Sequence, residues 1–140
     1  MLNIIMEASQ NFCIHQIRLP HEINDKTVQM RTLIAYIDIE TISSKKYRVY
    51  IAASLGFAQR VATALLEEDE SDEETLVDMM LETTNLIVGS AKVLAQKTNE
   101  YAYNMFTPHF EKIGSFDLEY DEIKVLKIEN DEMIIAIKEL

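Results

Sequence analysis

The chain has 140 residues, 48% of them hydrophobic, with 24 acids against 13 bases and a net charge of −11. Such a length suits one domain, residues 1–140, with a core of its own, and without a basic patch it lacks what nucleic acid or an anionic membrane surface selects. The longest run free of charge, Val49–Gln59, is 11 residues, too short to insert as a membrane helix, and the lone Cys13 rules out an intrachain disulfide and fits a cytoplasmic, reducing setting.

Glu7 and the lack of a basic start predict no secretory signal. Leu2, Ile5, Met6 and Ser9 recur at helical spacing and predict a short helix over Leu2–Gln10. Phe12–Ile23 alternates in part and reads as a strand running into Pro20. His15 and His21 have no acid or cysteine at ligand spacing, so no metal site is expected. Val28–Glu40 predicts a long strand, with Leu33, Ala35, Ile37 and Ile39 on one face and Thr32, Ile34, Tyr36 and Asp38 on the other. A turn at 42–45 returns it through Tyr47–Ser54 as an antiparallel hairpin. Phe57–Glu67 then forms a helix around Phe57, Val61, Ala64 and Leu65. Seven of the 24 acids lie in Glu67–Glu74; the remaining 17 face 13 bases, a balance of −4. This run reads as a solvated connector that also places acids at the start of the next helix, where its dipole favours them, with Ser71 or Asp72 as cap.

Thr75–Asn99 is the longest periodic stretch. Val77, Met80, Leu81, Thr84, Ile87, Val88, Ala91, Leu94 and Ala95 make one apolar helix face. Asp78, Glu82, Asn85 and Gly89 fall together on the opposite side. Charged and amide residues on an exposed helix face are ordinarily just solvated. Yet Asn and Gly are weak helix formers, Gly by about 1 kcal/mol against Ala, and a long helix that keeps both on one stripe gives up stability there, as functional sites do. Beyond it, Tyr101–Glu111 and Ile113–Leu118 are aromatic-rich and lean towards strand, with Tyr101, Tyr103 and Phe106 read as core. Pro108 belongs at a strand edge or bulge, since it cannot donate to a ladder. Lys124–Ile128 and Glu132–Lys138 form a closing hairpin around Asn130 and Asp131. The expected fold is α+β: a largely antiparallel sheet packed against two long helices.

Asp78-x3-Glu82-x2-Asn85, then 22 residues, then Pro108, resembles the motif of the CheC/CheX/FliY family of chemotaxis phosphatases. The fixed gap to the proline and Gly89-Ser90-Ala91-Lys92 strengthen the match, and the order of elements resembles the CheX branch. Asn3-x3-Glu7-x2-Gln10 looks like a faded copy of the motif, but Leu33 stands where its proline would be, so it is given no catalytic role. The resemblance implies a phosphatase acting on the aspartyl phosphate of a CheY-type receiver. Glu82 would pair with a receiver lysine, and Asn85 would hold the attacking water. Asp78, Met79, Leu86 and Gly89 would contact the partner, with Val93 beside them. Gly89 also fits a second reading, close packing against a strand; the apolar residues fit partial burial. No cofactor of its own is implied, only Mg2+ in the receiver. Family members with one motif are dimers, so a homodimer is expected, through a sheet edge. The alternative of another class is a non-catalytic module that docks a receiver within the chemotaxis or flagellar switch.

Overall fold

The computed structural model describes residues 1–27, 30–97 and 102–140. Their fold is α+β. The elements run α1 (Leu2–Phe12), a π-helical turn (Cys13–Ile17), β1 (Glu22–Asn24), β2 (Thr32–Thr41), β3 (Lys46–Ser54), α2 (Leu55–Leu66), α3 (Glu73–Gln96), β4 (Tyr103–Met105), β5 (His109–Gly114), β6 (Glu122–Ile128) and β7 (Asp131–Glu139). Among the described residues the strands form one antiparallel sheet in the order β1-β6-β7-β3-β2-β4, and β5 pairs with β2 beside β4.

Alternation along β2 decides which face meets the helices. Leu33, Ile37 and Ile39 join Phe57, Val61, Met80, Ile87 and Val88 in the main core beneath the three helices. Ile34 points the other way, into a smaller cluster with Tyr50, Ala52, Val125, Ile134 and Ala136, which Phe116 covers. The expected strand over Ile113–Leu118 therefore ends at Gly114. The chain beyond it leaves the ladder and lays Phe116 and Leu118 on the outer sheet face.

The first half of the strand expected over Phe12–Ile23 is helix, up to Ile17. Ile5, Ala8, Ser9, Phe12 and Cys13 are buried at three- and four-residue spacing, so the helical face of α1 outlasts the partial alternation that suggested a strand. It ends through the π turn with Arg18 at φ 62°, and only Glu22–Asn24 is strand. The long strand starts at Thr32 rather than Val28, which lies outside the described residues. Helix α2 opens at Leu55, two residues early, because Ser54 Oγ accepts the Phe57 N–H at 3.3 Å.

Asp72, not Ser71, caps α3, accepting the Thr75 N–H at 2.8 Å. Ser71 instead donates its N–H to Gln59 Oε1 at 2.9 Å, and Thr63 Oγ1 donates to the Glu68 carbonyl at 2.7 Å. The acidic connector is thus fastened to α2 by neutral side chains. Glu73 and Glu74 occupy the first turn of α3. The far end of the expected helix, Asn99, lies outside the described residues, as does Tyr101.

Candidate functional site

Helix α3 buries Leu76, Met80, Thr83, Thr84, Ile87, Val88, Ala91 and Ala95. The buried face is rotated slightly from the one expected: Leu76 and Thr83 are inside, and Val77, Leu81 and Leu94 are half-buried. Two threonines are tolerated there because Thr83 and Thr84 return their hydroxyls to the carbonyls of Met79 and Met80, at 2.6 and 2.8 Å. Opposite this face stand Asp78, Glu82 and Asn85, all exposed, with Gly89 half-exposed at the end of the stripe. Leu86 and Val93 flank it at 38% and 57% exposure. Met79 is half-buried and packs against the core edge, while Lys92 is half-buried.

Among the described residues no salt bridge reaches Glu82 or Asp78, and no hydrogen bond engages the side chains of Glu82 or Asn85. A carboxylate and a carboxamide one helical turn apart therefore present their full bonding capacity to solvent. Neither group has a histidine, serine or cysteine partner placed to make a nucleophile, and no three metal-binding side chains converge among the described residues. The arrangement can donate and accept hydrogen bonds and offer negative charge; it has no nucleophile of its own.

Folding explains the distance in sequence between Asn85 and Pro108. Strand β4 runs beside α3, held by Tyr103, whose hydroxyl donates to the Val88 carbonyl at 2.6 Å. Burial raises the Tyr103 pKa, so this hydroxyl stays a donor. Pro108 then falls in the gap between two short strands that pair with the same partner: β4 opposite Ile39–Thr41 and β5 opposite Thr32–Tyr36. Lacking an N–H, proline suits this break in the ladder. The result is an open groove of about 910 Å³ lined by Asn85, Gly89, Met105, Phe106, Thr107, Pro108 and His109.

Two expectations need correction here. Phe106, read as core, is 53% exposed on the groove wall, because the strand break turns it out of the sheet. Gly89 is not required by packing: a Cβ there would meet only Met105 Sδ, at 4.0 Å. On the other side of Leu86, the end of α1 and its π turn place Asn11, His15 and Gln16 beside Ser90. Sequence reasoning missed both walls of the site. The strand-breaking proline was the one signal pointing to the first.

An antiparallel sheet backed by helices in this order is the fold of CheX, CheC-like and FliY proteins. The family model for chemotaxis phosphatase CheX matches residues 37–129, and the chain belongs to the CheX family. No curated protein sequence matches. Among solved structures, the chemotaxis protein CheX of Vibrio vulnificus is similar at 18% identity and TM-score 0.80, with 99% of this chain and 98% of that one covered. The CheX of a CheX–CheY–BeF3–Mg2+ complex from Borrelia burgdorferi is similar at 15% identity and TM-score 0.69, covering 98% and 97%. Thermotoga maritima FliY is similar at 13% identity and TM-score 0.59, covering 97% and 84%. At these identities the structural likenesses speak for the fold.

Proposed function

We propose that this chain is a phosphatase for the aspartyl phosphate of a CheY-type receiver domain, completing the receiver's site with Glu82 and Asn85. The single observation that carries this reading is the unengaged, exposed pair on one stripe of α3, with Pro108 brought alongside across the groove. Family membership and the CheY bound in the Borrelia burgdorferi complex support the choice of partner.

Aspartyl-phosphate hydrolysis needs a water aligned with the phosphorus. Its oxygen forms the new P–O bond as the bond to the receiver carboxylate breaks, and inorganic phosphate leaves with the water's protons. The Asn85 amide can accept from that water and donate to it, so it positions without acting as a base. Glu82 pairs with the receiver lysine and sets the helix in register. Asp78 adds a peripheral acidic contact, Met79 and Leu86 add apolar area, and Gly89 leaves room for receiver backbone. The chain supplies no cofactor. Mg2+ belongs to the receiver, where it neutralises charge on the phosphoryl oxygens.

The active form is a homodimer in the cytoplasm. Among the described residues β5 is paired only with β2, leaving its outer edge open to a second copy. The buried Cys13 thiol, its pKa pushed up to about 12 by burial, is an inert core group that suits a reducing compartment.

Substituting the pair separates the two roles. Asn85→Ala is expected to leave binding of a beryllofluoride-activated receiver nearly intact while the dephosphorylation rate falls about 100-fold or more, some 3 kcal/mol of transition-state stabilisation. Glu82→Ala is expected to weaken binding and rate together. An Asn85→Ala protein with the wild-type rate would refute the assignment of the water to that amide.

A further inference from the structure

We propose that Phe106 is an apolar anchor for the receiver, on the groove wall across from Asn85. This rests on the receiver-phosphatase reading above and adds to it a specificity-determining residue outside the helix. A phenyl ring 53% exposed beside a polar site is costly to leave in water and rewarding to cover.

Its backbone is held from both sides. Met105 pairs with Ile39 before it, its own N–H donates to the Asp38 carbonyl at 2.9 Å, and His109 pairs with Tyr36 after it. Pro108 fixes one dihedral of the short bridge between. The His109 ring stacks on Tyr36 at 5.3 Å between centroids, and Arg48 lies 4.1 Å from the Tyr36 ring centroid. Arg48 is in turn gripped by both carboxylate oxygens of Asp38, at 2.8 and 3.0 Å. A ring offered from so constrained a bridge loses little freedom on binding, which is what makes aromatic anchors effective.

The groove identifies the occupant. Phe106, Asn85 and Gly89 line the same opening, and a Cβ at Gly89 would meet only Met105 Sδ, at 4.0 Å. Whatever reaches the Asn85 amide lies across this opening and meets the ring. A second copy of the chain seated on Phe106 would close the groove over Asn85, so the occupant is the receiver.

The test is titration of a beryllofluoride- and Mg2+-loaded CheY-type receiver against wild type, Phe106→Ala and Phe106→Leu, with phosphate release and solution mass measured on the same proteins. Phe106→Ala is expected to weaken binding about tenfold or more, as loss of a buried aromatic anchor does. At saturating receiver its rate stays within about twofold of wild type, because the water-holding amide is untouched. Phe106→Leu recovers most of the affinity. Unchanged binding by Phe106→Ala overturns the inference and leaves the receiver reading standing. A change of the Phe106→Ala protein's solution mass from dimer to monomer assigns the ring to a second copy and overturns it as well. A wild type that does not bind the receiver removes the functional reading itself, and this inference with it.

Discussion

Two glycines show opposite reasons for the same residue. Gly56, in the first turn of α2, lies under the Asp131 carboxylate: a Cβ there would sit 2.0 Å from Oδ1 and 2.5 Å from Cγ. That carboxylate takes the Arg60 Nε–H at 3.0 Å and the Ser54 hydroxyl at 3.4 Å, fastening the β6–β7 turn to the helix. Gly56→Ala must push it away, and thermal denaturation should show a loss of about 1–3 kcal/mol, the range for forced overpacking. Gly89 has no such neighbour. Gly89→Ala should stabilise the free protein by about 0.5–1 kcal/mol, the gain of replacing a helix-interior glycine. It should also weaken receiver binding, since the methyl fills space left open at the groove. Denaturant midpoints and receiver titration on one preparation check both signs. The stripe of Asp78, Glu82, Asn85 and Gly89 was legible from spacing alone. Packing as the reason for Gly89 was the alternative reading until the atoms around it could be placed, because sequence says nothing of what faces a residue across the fold.

Among elements, the long amphipathic helix and the β2–β3 hairpin were the most legible, since each repeats its period over many residues. The stretch after Gln10 was not. Its residues satisfy a strand period in part and a helix period in part, and contact with α3 and the sheet decides for the helix. The loop 106–108 was illegible for a different cause: an aromatic two residues before a proline fits core or surface, and only the pairing of β4 and β5 with one β2 turns it outward. The cap of α3 carries a pH signature. Hydrogen bonds from the Thr75 side chain and backbone hold the Asp72 carboxyl below its usual range. A depressed folded-state value stabilises above the ordinary carboxyl pKa and ceases to as pH falls through the depressed value. Asp72→Asn keeps an acceptor at the cap and does not titrate. The melting temperature of wild type relative to Asp72→Asn should therefore decline as pH falls through and below the ordinary carboxyl range. A difference constant with pH would show that the carboxylate charge contributes nothing at this cap.

At the scale of the molecule, the sheet carries the helices and, among the described residues, leaves the β5 edge and the α3 stripe open to partners. The α+β architecture followed from the order of periodic segments; the pairing of β5 beside β4 did not, because register across a proline break is a long-range property. If the open edge of β5 joins two copies, light scattering at tens of micromolar should give twice the 16.1 kDa chain mass, and proline placed in β5 should lower it. The central claim is that α3 hastens loss of the receiver's phosphate. Its most direct test is the decay of a purified, phosphorylated CheY-type receiver, with Mg2+ present, alone and with this protein at substoichiometric amounts. Decay should be accelerated at least about tenfold, with repeated turnover by each copy. Binding of the phosphorylated receiver with no change in its decay would contradict it and leave a receiver-docking module in place of an enzyme.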